Sequence, residues 1–296
     1  MAALGVDPVA VIGLGAVGGS VAKALVRVGA RVSGYAASAS DRDAAKRDGV
    51  VVSDGIEECV AGMRTVLIAV PVAAHGAVAA LVAAAAAHDA VLLHAASLQG
   101  PDALAAAGGG SASYPPPLAR RLVGTHPLAG SHRAGYSAAR ADLFAGCVVS
   151  IESRADSTVR AIAEAMWRAA GAARFEYRTA EEHDGVMTWV SHLPQLASVA
   201  LADSIASAGI AASALGPGGR DATRLASSSF ETWGGILSGA RAGAVAATCA
   251  LEKSVGALRA ALERGDLDAV ARLWNSARAW RDAADADVGA EARAAR

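Results

Sequence analysis

The pattern of apolar and polar positions changes near residue 178 and divides the chain into two parts. Before that point, short apolar runs alternate with stretches of helical spacing. The run Val9–Ile12 leads into a glycine-rich turn and then an Ala/Val/Leu helical pattern. Residues 64–70 form a continuous apolar run, which is typical of a strand buried on both faces. Because strands alternating with helices form parallel sheets, residues 1–178 predict an α/β domain with a doubly wound parallel sheet.

The remaining elements of this part follow from the same patterns. Residues 73–96 are apolar enough to suggest a membrane span, but His75, His88 and Asp89 interrupt them. A helix followed by a strand explains the run better. Residues 108–117, rich in glycine and then proline, predict an exposed loop. Strands are predicted at residues 31–35, 49–52, 90–95, 122–126, 147–152 and 174–178, and helices at residues 41–48, 72–87 and 156–171.

Helical patterns dominate the chain beyond residue 178. Residues 179–182, Thr-Ala-Glu-Glu, match a capping box and predict a long helix through about Ser207. Pro194 lies inside that helix and should kink it. Residues 216–219 predict a Gly/Pro linker, and helical patterns continue to about residue 287. The prediction is an all-helical C-terminal domain at residues 179–296.

Composition and charge exclude several kinds of partner. The chain has 296 residues, 53% of them hydrophobic, and a net charge of −1 without a long basic run. Nucleic acid is therefore not an expected partner, and no secretory signal or membrane span is predicted. The three cysteines, Cys59, Cys147 and Cys249, lack the spacing of metal ligands. They predict reduced thiols in a cytoplasmic protein with no metal site.

The turn after the first apolar run has the spacing G-x-G-x-x-G, between a strand and a helix. Gly13 allows the tight turn, Gly15 lets the backbone approach a pyrophosphate, and Gly18 lets the helix pack on the strand. The free N–H groups at the start of the helix would face the phosphates. The alternative is a glycine-rich turn that binds no ligand. The predicted Rossmann-type dinucleotide site comprises Gly13, Leu14, Gly15, Ala16, Val17 and Gly18, together with Val70 and Pro71 at the end of a neighbouring strand.

The residues after the second strand bear on the choice of cofactor. An NAD site would place an acidic residue there to bind the ribose hydroxyls. Ala36 occupies that position, and the nearest acid is Asp41. Ser38 and Arg42 could instead hold a 2′-phosphate, so the predicted cofactor is NAD or NADP, with a slight preference for NADP being accepted. The alternative is that both are ordinary solvated residues at the start of the next helix.

Four blocks occur in this order: GLGAVGGSVAKAL at residues 13–25, GTHPLAGSHRAGYSAARADLF at 124–144, HDGVMTWVSHLP at 183–194 and RDATRLASSSFETW at 220–233. Together they resemble the prephenate/arogenate dehydrogenase family of tyrosine biosynthesis. The resemblance implies oxidative decarboxylation of prephenate or arogenate. In that reaction hydride passes from C4 of the substrate to the nicotinamide and the C4 hydroxyl loses its proton. Carbon dioxide leaves and the ring becomes aromatic.

The same resemblance implies roles for individual residues. His126 would be the base, Ser97 would bind the same hydroxyl, and Arg224 would hold a substrate carboxylate. The alternatives are a turn histidine, for His126, and a surface ion-pair partner, for Arg224. The alternative for His192 and Trp233 is a core residue, although in the family this tryptophan reaches the neighbouring subunit's site. The implied substrate-binding set is Arg224, Arg220, Ser131, Ser191, His192, Gln195 and Trp233.

Three residues depart from the family pattern. The family carries an Asp before the serine and a Lys two residues after it, where this chain has His94 and Gln99. Gln195 replaces a histidine that helps to recognise the substrate's side chain. These departures leave open prephenate, arogenate or a 4-amino-4-deoxyprephenate-type analogue as the substrate. They also leave open a nucleotide-binding sensor with weakened catalysis.

A β-hydroxyacid dehydrogenase is a weaker alternative, because it would normally supply a lysine on the long helix and none lies between Lys46 and Lys253.

Small side chains at residues 240–250 would let helices approach closely. With the resemblance, they predict a homodimer formed through the helical domain, with each site completed near the interface.

Overall fold

Eight strands form one sheet in the computed structural model, which describes residues 5–109, 121–130 and 134–294. Their spatial order is β3-β2-β1-β4-β5-β6-β7-β8. The predicted strands are present, with ends shifted by a few residues. Their bounds are β1 Val9–Ile12, β2 Val32–Tyr35, β3 Val51–Val52, β4 Thr65–Ile68, β5 Val91–His94, β6 Leu122–Pro127, β7 Val148–Glu152 and β8 Arg174–Arg178.

One strand pair departs from the predicted parallel sheet. β6 and β7 pair antiparallel, with His126 opposite Ser150, whereas the other neighbouring strands are parallel. The reason is the connection between them, whose described part contains only a 3₁₀ turn, Tyr136–Ala138. Leu128 donates its N–H to the carbonyl of Val148, so β7 begins at the same edge where β6 ends. A parallel pair would require a crossover that returns the chain to the other edge.

Both faces of the sheet are covered. Along β1, Val9 and Val11 belong to one buried cluster, whereas Ala10 and Ile12 belong to a second cluster on the other face. This explains why the strand is apolar at every position, and it confirms the doubly wound fold. The helices of this part are α1 Ala16–Arg27, α2 Ala39–Arg47, α3 Ile56–Val60, α4 His75–Ala85, α5 Pro101–Ala107 and α6 Ser157–Ala170. The short α3 and α5 were not predicted, because they are too short to show a helical period.

The chain beyond Arg178 is helical, as predicted. The predicted long helix is interrupted by a π-helical turn, Thr188–His192, just before Pro194, whose ring lacks the N–H of a regular helix. The predicted linker is wrong, because Gly216 caps a helix that Pro217 begins. The helices are α7 Ala180–Met187, α8 Leu193–Ser207, α9 Pro217–Thr223, α10 Phe230–Gly239, α11 Arg241–Glu263 and α12 Leu267–Ala294.

Contacts divide the chain into two compact units, Met1–Ala244 and Val245–Arg296. In the first unit, α10 packs closely on α5, because Gly239 has no Cβ to meet the carbonyl of Ala103. In the second unit, Leu258, Leu273 and Trp274 line a cavity of about 330 Å³. The domain boundary predicted at residue 178 stays a prediction, although the last strand ends there.

The length and hydropathy of the described helices bear on whether they could span a membrane. No single one of them is long and apolar enough to cross a bilayer. By length and composition alone, one bent pair, Phe230–Gly239 with Arg241–Glu263, passes the same criteria.

Candidate active site

The glycine-rich turn has the geometry that a dinucleotide requires. Gly13 has φ +100°, and a Cβ there would lie 2.5 Å from the carbonyl oxygen of Ala69. A Cβ on Gly18 would overlap the carbonyl of Gly13, so this position also excludes other residues. Gly15, by contrast, faces open space, and no side chain caps the N-terminus of α1 above it. The uncapped N–H groups therefore suit a pyrophosphate.

The rest of the predicted cofactor set adjoins this turn. Ala16 and Val17 begin α1, so their N–H groups belong to its free N-terminus. Leu14 is buried against Gly34, which leaves only its backbone for a ligand. Val70 lies next to Gly13, followed by Pro71 at the end of β4. The structure thus brings these residues to one place at the carboxyl edge of the sheet.

The end of β2 offers no carboxylate to a ribose. Ala36 is buried, and Arg42 donates from Nη1 to its carbonyl at 2.6 Å. Ser38 caps α2, its Oγ accepting the N–H of Asp41 at 3.2 Å. The Asp41 carboxylate in turn accepts the N–H of Tyr136 at 2.9 Å. The nearest acid is therefore held by the chain itself, while Ser38 and Arg42 lie at the predicted ribose end.

A series of hydrogen-bonded side chains starts at His126, near the end of β6. Its Nδ1 lies 3.0 Å from Nε2 of His183 in α7. Nδ1 of His183 lies 2.8 Å from Oδ1 of Asp184. His183 is fully buried, whereas His126 is half-buried. The capping box at Thr179 begins α7, so it sets the position of both residues on the helix.

Asp184 fixes the proton positions along this series. Its two oxygens accept the N–H groups of Gln99 at 2.8 Å and Gly100 at 2.9 Å. Because a carboxylate only accepts, Nδ1 of His183 carries the proton and its Nε2 is the acceptor. His126 must then donate from Nδ1, which leaves Nε2 with a free lone pair.

The environment also keeps His126 neutral. Burial is the main cause that lowers its pKa, and nearby His183 lowers it further, to about 3, although Asp184 acts in the opposite direction. The imidazole is therefore uncharged near neutral pH. An uncharged ring with a free Nε2 can accept a proton from a substrate hydroxyl.

Sequence reasoning missed the roles of His183 and Asp184. The sequence alone assigns no role to either residue. The available signal was a His-Asp pair directly after a capping box and inside a family block. Neighbouring positions of a helix do not face each other, so the spacing alone did not suggest a connected pair.

His94 and Gln99, the two residues near Ser97 that depart from the family pattern, are buried and form polar contacts with the backbone. His94 accepts the N–H of Ala96 at Nδ1, and burial holds its pKa well below the usual value. Gln99 donates from Nε2 to the carbonyl of Ser150 at 3.2 Å. Ser97 itself follows β5 and is half-buried. At these two positions the chain therefore has His94 and Gln99, which bond to the backbone, in place of the Asp and Lys of the family pattern.

Arg224 lies at a cavity of about 520 Å³. Its side chain is exposed and pairs with no carboxylate in the part of the chain that the structure describes. The structure therefore does not support the surface ion-pair alternative. The cavity is lined by Gly130, Gln195, Arg224, Leu225, Ser227, Ser228, Ser229, Thr232, Trp233 and Ile236.

Three other predicted substrate-binding residues, Arg220, Ser191 and His192, do not line this cavity. Arg220 donates from Nε to the carbonyl of Leu215 and does not line this cavity. Ser191 lies in the π-helical turn, and the buried ring of His192 lies 6.1 Å from that of Trp233. Ser131 lies outside the described residues.

Trp233 lines the cavity of its own chain and packs against a buried cluster there. Its assignment to the neighbouring subunit's site stays a prediction. Within one chain, its ring already borders the space next to Arg224 and Gln195.

Comparison with known proteins gives consistent matches. Residues 21–174 match the prephenate dehydrogenase nucleotide-binding domain, and residues 179–276 match the prephenate dehydrogenase dimerization domain. The chain is 31% identical to cyclohexadienyl dehydrogenase of Zymomonas mobilis, over 77% of this chain and 79% of that protein. It is 27% identical to prephenate dehydrogenase of Bacillus subtilis, over 93% and 76%. Prephenate dehydrogenase from A. aeolicus, solved with hydroxyphenyl propionate and NAD⁺, superposes with a TM-score of 0.80 at 25% identity, over 92% and 96%.

Proposed function

Because the chain belongs to the prephenate dehydrogenase family, we propose that it catalyses NAD(P)-dependent oxidative decarboxylation of prephenate or arogenate. The observation that carries this proposal is the hydrogen-bonded series His126, His183 and Asp184. It presents a neutral imidazole at the carboxyl edge of the sheet, where ligands of such folds bind.

His126 is the proposed base in this reaction. Its Nε2 accepts the proton of the C4 hydroxyl, while Nδ1–H remains bonded to His183. The second proton of the ring can then move from Nδ1 to Nε2 of His183, so that His126 returns to a neutral state. The resulting positive charge lies next to the carboxylate of Asp184, which stabilises it. Ser97 is proposed to bind the same hydroxyl.

The nucleotide site fits a nicotinamide cofactor. Gly13, Gly15 and the first N–H groups of α1 would hold the pyrophosphate, and Ser38 and Arg42 would face the ribose. When bound, the nicotinamide supplies the acceptor for the C4 hydride. The protein's own contribution is to orient C4 and to remove the hydroxyl proton.

The absence of an acid at Ala36 gives a prediction about the cofactor. Without a carboxylate at position 36 to repel a 2′-phosphate, we expect NADP to be accepted. Ala36→Asp should favour NAD, by bonding its ribose and repelling the phosphate, by roughly 10- to 100-fold in the ratio of kcat/KM values. Steady-state kinetics with both cofactors measure this ratio. A wild-type protein that strongly prefers NAD over NADP would contradict the argument.

Arg224 is proposed to bind a carboxylate of the substrate. Removing a charge-assisted pair costs about 1.5–3 kcal/mol, so Arg224→Ala should raise KM roughly 10- to 100-fold with a smaller change in kcat. Arg168→Ala is the matched control, because the exposed Arg168 pairs with Glu164 within α6 and does not line the cavity. Unchanged KM and kcat/KM in Arg224→Ala would exclude the carboxylate role.

The helical part is proposed to form a two-fold dimer. Residues 179–276 match a dimerization domain, and large apolar side chains beyond Thr179 are exposed, among them Trp189, Phe230 and Trp274. Covering such surface is the usual driving force for association. Sedimentation at assay concentrations should find a dimer. A monomer with full activity would contradict both the dimer and a site completed at its interface.

The substrate is decided by crossing prephenate and arogenate with NAD and NADP in steady-state assays. The proposal predicts reduction of the cofactor with at least one of the four pairs. If all four pairs are inactive while NAD or NADP binds, the proposed reaction is wrong. An assay with the 4-amino-4-deoxyprephenate-type analogue then distinguishes a dehydrogenase of that compound from a nucleotide-binding sensor.

A further inference from the structure

Three polar side chains form a buried stripe beside the cavity. His192, Gln195 and Ser198 follow one another at intervals of three residues, and each is at most 4% exposed. Residues three apart lie on one face of a helix. Buried polar groups need partners, so the contacts of this stripe indicate what it does.

Two members of the stripe bind the turn that carries Arg224. Gln195 donates from Nε2 to the carbonyl of Leu225 at 2.9 Å. Oγ of Ser198 accepts the N–H of Ala226 at 3.1 Å. Leu225 and Ala226 directly follow Arg224 in the 3₁₀ turn Arg224–Ser227. α8 therefore holds this turn at two successive residues.

The turn also closes on itself. Ser227 donates from Oγ to the carbonyl of Arg224 at 2.8 Å. The N–H of Ser228 donates to the carbonyl of Leu225 at 3.0 Å. That carbonyl thus accepts two bonds, one from within the turn and one from Gln195. The turn can form without Gln195, but Gln195 helps to fix where it lies relative to α8.

The bond to Leu225 also settles the orientation of the Gln195 amide. A carbonyl accepts, so the NH₂ group of Gln195 must face it. The donor group of this side chain is therefore committed to the protein backbone. Arg224 has a long, flexible side chain with an exposed guanidinium, so the position of its backbone limits where that group can reach.

We propose that Gln195 is a positioning residue for Arg224, which sets the carboxylate-binding group through the Leu225 carbonyl instead of contacting the substrate itself. This rests on the proposed function, in which Arg224 binds a substrate carboxylate. Gln195→Met keeps the length of the side chain but removes the donor. Because small displacements of a binding group are costly, this change should weaken substrate binding on the order of tenfold and leave kcat within about twofold.

The test is a double-mutant cycle with Gln195→Met and Arg224→Ala. Binding of prephenate and of arogenate is measured by calorimetry without cofactor, and turnover is measured separately. In the Arg224→Ala protein, adding Gln195→Met should change the dissociation constant by less than about twofold, because its effect requires Arg224. Ser204→Ala is the control, since the exposed hydroxyl of Ser204 donates to the carbonyl of Ala200 in its own helix. It should behave as the wild type.

Several results would overturn the proposal. Equal weakening by Gln195→Met with and without Arg224 would mean that Gln195 contacts the substrate directly. A wild-type protein that binds neither compound would also overturn it. Coupled binding without turnover would support the positioning role while contradicting the proposed reaction. If Gln195→Met does not fold, Ser198→Ala takes its place in the cycle, with a weakening in the same direction expected.

Discussion

His126→Asn should lower kcat by a factor of about 10²–10⁴, the usual contribution of a positioned proton acceptor. Asparagine can still donate a hydrogen bond towards Nε2 of His183, so the local geometry should be retained. It has no basic nitrogen to accept the C4 hydroxyl proton. KM should change little, because the carboxylate contact is assigned to Arg224.

His88→Asn is the matched control, because His88 is exposed and precedes β5 at the opposite edge of the sheet. A pH profile gives an independent check. Because burial and His183 lower the pKa of His126 to about 3, its neutral form persists as pH falls through the usual histidine range. kcat/KM should therefore stay level down to about pH 5. Wild-type kcat in His126→Asn would remove His126 from the mechanism.

The second large effect is expected at His183. His183→Met fills the buried space but offers His126 no comparable acceptor, so the tautomer of His126 is no longer fixed. The proton also loses its path towards Asp184. We expect kcat to fall by about 10²- to 10⁴-fold, because the base loses the residue that fixes its tautomer and orientation.

His183→Gln separates orientation from proton transfer. Its amide can accept from His126 and donate to Asp184, but it cannot take up a proton. Its kcat should lie between those of the wild type and His183→Met, with thermal unfolding used to confirm that each variant is folded. Equal, wild-type kcat values in both variants would show that His183 has no part in proton removal.

Local sequence signals were sufficient to predict much of the fold and part of the candidate active site. The strand–turn–helix context of Gly13 and Gly15 predicted their conformations, because a positive φ and an uncapped helix start are local properties. His126 and Arg224 were identified through family blocks. The structure places one in the hydrogen-bonded series and the other at the cavity.

The features of the fold and the site that the sequence did not predict depend on contacts between residues far apart in the chain. The antiparallel pairing of β7 follows from the path of its connection, which hydrophobic periodicity does not encode. The bond between His126 and His183 joins residues 57 positions apart, and the bond of Gln195 to Leu225 spans 30. Arg220 belongs to the same block as Arg224, yet it binds the carbonyl of Leu215. A block identifies candidates, but only the packing shows which of them face the cavity.

One site is proposed both to direct hydride from C4 of the substrate to the nicotinamide and to drive the loss of carbon dioxide. The most direct measurement follows the reduced nicotinamide and the released carbon dioxide in the same reaction with prephenate or arogenate. We expect equal amounts of both, together with one equivalent of aromatic product, and a parallel fall in the rate of formation of all three in His126→Asn. Cofactor reduction without release of carbon dioxide, or no reaction with either substrate, would contradict it.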